Sequence, residues 1–489
     1  MLIPCPLLQS ILIPLIAAVV IAVAGKRLKE IVGWISCASL IYSTIMLILV
    51  GVKIWTGLIP IYEEYTWSEL AKLRFGLLAD GLSLPVALTV NLICATCAAY
   101  SIPYIRHRIE LIYGGDDWGL YRFYFTLYTF FAIGFTGISL STNLIEMYLF
   151  IELVLIPFYF LMDLFGYVDR HRIAIMCFIW SHVSAVLFLI GVVLAYVKIG
   201  SFEVSALSSL MGADAFLVCF FILIGLLVKM AVFGFHVWVP WVHAEHPTCI
   251  AAILATIVGL GNYIIVRLLV QHMLATFRIF SIPLMIWALI TMIYGAFLTL
   301  AQDDVKRLCA CSTISQNAYS LLGIASCTTL GVVGGVFYFI SHIIGKCILF
   351  SIAGILVYQT GLRDMRRMGG LAGKMPLTAA LFVIGAMILS AIPPSSGFQA
   401  EWIMFVGIFS QGFHGSTTGL VIALIGIFAT FLTLIYTFWP IKRIFFGPLP
   451  DGLERVERAP YVMTIPLLIL AIISLILGIY PDILMRFLN

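Results

Sequence analysis

Apolar runs about as long as a lipid bilayer is thick recur along the whole of this chain, and that recurrence limits the fold more than any other feature. A helix needs about 20 residues to cross roughly 30 Å of hydrocarbon. Backbone groups in lipid must bond internally, so the runs are helices, and the period-two alternation of a membrane barrel is absent. Fourteen candidate spans fall near 7–24, 31–51, 77–100, 121–140, 144–166, 173–197, 215–233, 249–270, 281–300, 308–326, 332–358, 377–410, 417–440 and 462–484. With 63% hydrophobic and 10% charged residues among 489, the sequence describes an all-α polytopic membrane protein. The opening MLIPCPLLQSILIPLIAAVV has no basic residue before its apolar stretch and no small-residue cleavage site, so it reads as a first span.

Several functions are excluded at this stage. The eleven cysteines are scattered, without the paired spacing of a disulfide framework or an iron–sulfur site. The single CxxC, Cys94 to Cys97, lies in an apolar helix and reads as packing. Gly-rich phosphate loops are missing, so no cofactor is expected in this chain. A net charge of +4 without a basic arm gives no case for nucleic acid.

Basic residues concentrate in the connections after odd-numbered spans: Lys26, Arg27, Lys29, Arg106, Arg108, Arg170, Arg172, Lys306, Arg307, Arg363, Arg366, Arg367, Lys374, Lys442 and Arg443. That bias places the odd connections in the cytoplasm and both termini outside. Two spans are interrupted. The seventh ends in VKMAVFGFHVWVPWVHAEHP and the twelfth contains SAIPPSSGFQAEW, and proline removes a backbone donor, so both helices should break. Breaks at corresponding places in two halves point to an ion site between repeats. Matching the fourth to eighth spans with the ninth to thirteenth predicts two inverted five-helix repeats. The segments are then 1–120 (N-terminal helices), 121–270 (first repeat), 271–445 (second repeat) and 446–489 (C-terminal helix).

Four charged residues, Glu152, Lys229, Lys346 and Glu401, sit inside apolar runs. A charge at the centre of a membrane helix costs roughly 2.5–3.5 kcal/mol on insertion scales, so such groups face water or a partner and mark an ion route. Glu152 stands five residues before Pro157, which leaves the Leu153 carbonyl without its helical partner and predicts a kink beside the carboxylate. Glu146 lies about 240° around the same helix, off the face of Glu152 and nearer the interface. Burial penalises each lone charge and contact restores both, so a Glu152–Lys229 pair that opens and closes would be a proton switch; a static ion pair is the alternative. His236, His243 and His246 follow Lys229 with Glu245. Lacking cysteine partners and interrupted by prolines, they read as a proton relay rather than a zinc site. In SHIIGKCILF, His342 and Lys346 are four residues apart on one helix face, set to share a proton. His182, His272 and His414 read as structural or interfacial. Asp303, Asp304, Lys306 and Arg307 form either a solvated cap or part of a transport route. Glu401 follows the PPSSGF break, placed either to exchange protons with water on one side or at a simple helix end.

Taken in order, IELVLIPFYFLM, LLVKMAVFGFHVWVPWVHAEHPT, LAQDDVKRLCACSTIS, HIIGKCILFSIAG, MRRMGGLAGKMP and PPSSGFQAEW resemble the antiporter-like proton-channel subunits of complex I. The likeness covers residues 75–445. Relatives of that family serve membrane-bound hydrogenases, sulfane reductases, deazaflavin-linked dehydrogenases and multisubunit sodium/proton antiporters. Length, the single helix after residue 450 and the acidic Glu401 are most similar to the chain M (subunit 4) branch. There is no long lateral helix of the chain L type.

The resemblance implies that Glu152 and Lys229 are an input pair, Lys346 a central relay and Glu401 an exit; the residues themselves add His236, His243 and His342 as relay groups. It implies a subunit that moves protons, or sodium, in an energy-coupling prokaryotic cell membrane. Its partners would be other membrane subunits, further antiporter-like copies and a peripheral redox arm carrying the iron–sulfur clusters. One departure stands out. The family usually has a lysine in the eighth span, in a pattern like LLKxGxYGLLR, where this chain reads TIVGLGNYIIVR with Gly259. That gap favours a non-conducting scaffold as the competing expectation, and a sodium/proton antiporter complex without electron transfer is a third.

Overall fold

The structure, a computed structural model, describes residues 4–57, 59–70, 73–413 and 417–488. Its helices are α1 (Pro6–Leu28), α2 (Ile31–Gly57), α3 (Ser83–Tyr113), α4 (Trp118–Leu140), α5 (Leu144–Phe165), α6 (Arg170–Ile199), α7 (Gly212–Lys229), α8 (Val239–Glu245) and α9 (Thr248–Ile264). After a π-helical turn at Ile265–Val270 come α10 (Leu274–Phe277), α11 (Ser281–Leu300), α12 (Val305–Ala325), α13 (Thr329–Thr360), α14 (Pro376–Leu389), α15 (Ser396–Phe413), α16 (Thr417–Phe445), α17 (Tyr461–Ile479) and α18 (Asp482–Leu488). Among the described residues twelve helices are long and apolar enough to cross a membrane. The other two of the fourteen spans are α12 and the broken α14–α15. Lipid would not accept α12 alone, because Ser312, Thr313, Ser315, Gln316, Asn317 and Ser320 line it, and all six are buried by protein.

One element was not expected. Between α2 and α3 an antiparallel hairpin pairs β1 (Ile61–Ser68) with β2 (Leu73–Ala79), from Ile61 opposite Ala79 to Thr66 opposite Arg74. Its strands are too short to register in a search for bilayer-length runs.

The chain divides into two compact units. The first is Met1–Lys229 with Tyr263–Phe277 and Arg486–Asn489; the second is Met230–Asn262 with Arg278–Met485. In the first, Leu7, Leu47, Val50, Leu77, Leu84 and Leu140 form a core joining α1, α2, β2, α3 and α4. In the second, α12 and α13 are the buried heart, nearly every side chain of each being covered.

The repeat is written in backbone hydrogen bonds. Asn143 caps α5, accepting from Ile145 and Glu146 N–H; Leu144 N–H donates to the Phe202 carbonyl at 2.8 Å and Val204 N–H to Thr142 at 2.9 Å. Asp304 caps α12 in the same way, accepting from Lys306 and Arg307; Val305 N–H donates to Arg363 at 3.0 Å and Met365 N–H to Asp303 at 2.9 Å. One plan therefore occurs twice, once over α4–α9 and once over α11–α16. Each copy holds five spans, an odd number, so the second is inverted across the membrane.

The breaks also match. α7 stops at Lys229, Ala231 takes φ 56°, and Phe235 N–H closes a turn on the Val232 carbonyl at 2.8 Å. α14 stops at Leu389, Ala391 takes φ 51°, and Ser395 N–H closes the same turn on Ile392 at 3.1 Å. An alanine in the left-handed region costs of order 1–3 kcal/mol, and such strain persists only where surrounding structure fixes it. Freed backbone oxygens are met by side chains: Asn317 donates to Met230 at 3.0 Å, and the Ser395 hydroxyl to Met387 at 3.2 Å.

Candidate ion pathway

In the first unit Glu152 projects from the middle of α5, one turn before Pro157, which the helix accommodates without ending. Its Oε1 lies 3.7 Å from Nδ1 of His182 on α6, and the His182 ring stacks on Phe178 with centroids 5.7 Å apart. The imidazole is half exposed, 48%, and the carboxylate 23%. Lys229 is the last residue of α7, half-buried, where the negative end of the helix dipole favours an ammonium. Glu152 acts on Lys229 through space, but among the described residues no direct ion pair joins them. The carboxylate's close partner is His182, a residue expected to be structural or interfacial.

In the second unit Lys346, on α13, is wholly buried. Its Nζ donates to the Cys309 carbonyl at 2.9 Å and to the Ser312 hydroxyl, both on α12. The Thr313 and Ser312 hydroxyls also donate to that carbonyl at 3.0 Å, so the ammonium meets a polar cradle with no carboxylate in it. His342 lies one turn before Lys346, as the four-residue spacing predicted, and is 2% exposed. His243, on α8, is fully covered and sits edge-on to the Phe350 ring at 6.1 Å, while Lys346 reaches the same ring at 5.9 Å. Neither ring nitrogen of His243 or of His342 has a hydrogen-bond partner among the described residues. Buried polar atoms of this kind are met by water, which makes this the wettable part of the unit. His236 is set apart, in a turn where its Nδ1 accepts from Gly234 N–H at 3.2 Å and its ring contacts Phe233 and Tyr294.

Lys306 is also buried. Its Nζ donates to the His246 carbonyl at 2.7 Å, and Arg363 bridges Glu245 at 3.2 Å and Asp304 at 2.8 Å. Lys306 and Asp304 are thus built into the second unit, whereas Asp303 stands at the surface, paired with Arg366 and Arg443.

Gly259 faces the ring of Phe339. A Cβ on it would meet two ring carbons at 2.5 and 2.7 Å. One turn on, Asn262 donates to Asn317 at 2.7 Å, and Asn317 donates in turn to Met230. Where a cation was expected, the chain has an aromatic side chain and a pair of amides.

Glu401 is half-buried on the second turn of α15 and carries no ion pair among the described residues. It lies within electrostatic reach of Tyr319, Tyr338 and Tyr436. Those hydroxyls form a buried network in which Tyr338 donates to Gln316 at 2.7 Å, Gln316 donates to Tyr436 at 2.7 Å, and Tyr319 bonds Thr433 at 3.0 Å. The sequence reading missed this network and the two asparagines. Their signal was the density of hydroxyls and amides in CSTISQNAYS, too polar a run for a helix facing lipid. His272 bonds Ser208 at 3.1 Å near a helix end, and His414 lies outside the described residues.

Residues 141–433 match the family described as NADH:quinone oxidoreductase/Mrp antiporter, TM. The chain belongs to this family. It is 28% identical over 488 residues to NADH-quinone oxidoreductase subunit M of Rickettsia prowazekii, covering 97% of this chain and 95% of that one. To F(420)H(2) dehydrogenase subunit M of Methanosarcina mazei it is 28% identical over 490 residues, 96% and 94% of the two chains. The fold is also that of a chain in the Mrp complex of Dietzia sp., with TM-score 0.86 at 20% identity, covering 99% of this chain and 96% of that one.

Proposed function

We propose that this chain is an antiporter-like membrane subunit that moves protons through a multisubunit respiratory oxidoreductase. The observation that carries the reading is Lys346: a fully buried amine held by a carbonyl and a hydroxyl, next to two buried imidazoles with open nitrogens. A proton can leave Nζ for a ring nitrogen by way of water, and the emptied amine still donates to the Cys309 carbonyl and the Ser312 hydroxyl. Glu152, His182 and Lys229 form the corresponding group of the first unit. Glu401 and the tyrosine–glutamine network would release protons at the far end. The names of the relatives support a respiratory setting with partner membrane subunits; a peripheral arm that holds iron–sulfur clusters is part of the proposal. The basic connections after odd spans support an orientation with both termini on the outer face of a prokaryotic cell membrane. Apolar residues such as Ile156, Phe160, Ile175 and Phe178 face outward from α5 and α6, suited to lipid or to a neighbouring subunit.

A second reading, a scaffold that fills the membrane arm without conducting, is favoured by Phe339 occupying the space beside Gly259. Redox-driven acidification by the whole complex in proteoliposomes separates the two. Lys346→Ala and Lys229→Ala should each abolish this subunit's share of pumping at native assembly. Pumping at the native ratio in both would support the scaffold, and a requirement for sodium would identify the coupling ion.

A further inference from the structure

Glu146 opens the first turn of α5 and is 1% exposed. Its Oε2 accepts from the Gly76 N–H of β2 at 3.1 Å, whereas Oε1 has no hydrogen-bond partner among the described residues. The Ser141 hydroxyl stands beside the carboxylate but gives its hydrogen to the Gly137 carbonyl at 2.7 Å. The Thr142 hydroxyl, packed against Gly76, is buried beside the Tyr62 side chain. Beside these groups a cleft of about 510 Å³ opens to the surface of the first unit, lined by Tyr62, Ser141, Thr142, Glu203, Arg267 and His272. The nearby cations are already engaged: Arg267 with Asp80, and Arg74 with Glu64. Glu203, bonded weakly by Asn143, is raised from its ordinary value by burial. The cleft is assembled from the connections after spans two, four, six and eight, one side of the membrane.

We propose that Glu146 is a proton-exchange group of the first unit, passing its proton to water in this cleft with Glu203 as the next acceptor. The carboxyl O–H breaks, the proton joins a cleft water, and the charge left on Glu146 is held by the Gly76 N–H. Reprotonation reverses the step. This deepens the proton-moving reading and rests on it.

The test uses the whole complex in proteoliposomes. Glu146→Gln should lower the proton-pumping rate at least tenfold at native assembly, and Glu203→Gln should lower it less. Native pumping in Glu146→Gln, with Lys346→Ala inactive, overturns the role of Glu146 and leaves the general function standing. Native pumping in Lys346→Ala as well means that the function itself is misassigned. Should Glu146→Gln fail to assemble, Ser205→Cys at the cleft decides. A bulky, membrane-impermeant cationic thiol reagent should block pumping by that variant from one face only, relative to the treated native complex. Unchanged pumping from both faces overturns the proposal.

Discussion

Phe339 on α13 stands where the side chain of residue 259 would otherwise project, its ring carbons 2.5 and 2.7 Å from the Cβ that Gly259 lacks. A lysine there would be sterically excluded as well as unpaired. Glycine and phenylalanine are complementary in this contact, and the polar connection nearest to it is the Asn262–Asn317 amide bond, one helical turn along α9.

Restoring the lysine alone should fail for a packing reason. Gly259→Lys forces the buried ring aside, and overpacking costs typically about 1–3 kcal/mol. Less assembled complex and a lower Tm than native are expected. Gly259→Lys with Phe339→Ala should recover assembly, because the second change vacates the space. Native Tm in Gly259→Lys alone would show that the ring moves freely and does not fill the site.

Glu152 and His182 should behave as one functional unit. Their closest atoms are 3.7 Å apart, so substitutions at the two positions are expected to be non-additive, coupled by about 0.5–3 kcal/mol. In a cycle of Glu152→Gln, His182→Gln and the double variant, the second change should alter the pumping rate far less than the first. Additive effects would mean that the imidazole is only a neighbour.

The spans, their breaks and the embedded charges were legible because each leaves a local mark: a run of bilayer length, a proline, an ion among leucines. Ala231 and Ala391 show how closely the two breaks correspond, yet no alignment of their flanking residues made that visible, since the shared feature is a backbone angle. That His182 meets Glu152 could not be read from the sequence, because it depends on which neighbouring helix the ring faces. The tyrosines around Gln316 were hidden for another reason. Tyrosine counts as apolar in a hydropathy search, and its hydroxyl becomes informative only when a second helix supplies its partner.

Asp80 and Arg267 anchor the first unit at the start of α3. Arg267 donates to both Asp80 oxygens at 2.7 Å, and the two side chains are 19% and 7% exposed. Burial pushes the Asp80 carboxyl up, but the hydrogen bonds and charge of Arg267, with help from Ser83, hold it below its ordinary 3.8. A carboxylate held down contributes its full stability above the ordinary value and loses it as pH falls through the lowered one. Asp80→Asn leaves the guanidinium buried and unpaired, which should cost about 3–5 kcal/mol at neutral pH. Thermal unfolding of the solubilised complex should show the same native-to-variant gap at about pH 7 and about pH 5, narrowing only in stronger acid. A gap that closes by pH 5 would place the Asp80 titration above its ordinary value and contradict the ion pair.

Gln316 holds two tyrosines with one amide, accepting from Tyr338 and donating to Tyr436, both at 2.7 Å. Gln316→Leu removes both bonds at once and leaves buried hydroxyls behind, each unsatisfied group costing about 1–3 kcal/mol. The variant should therefore lose more stability than Tyr338→Phe or Tyr436→Phe, in each of which a hydroxyl leaves together with its bond. Adding both phenylalanines to Gln316→Leu should recover part of the lost Tm, because no orphaned hydroxyl then remains. Proton pumping separates structure from conduction here. If the network carries protons released near Glu401, the stability-recovered triple variant still pumps slowly. If the network only packs α12 against α13 and α16, pumping returns with the Tm.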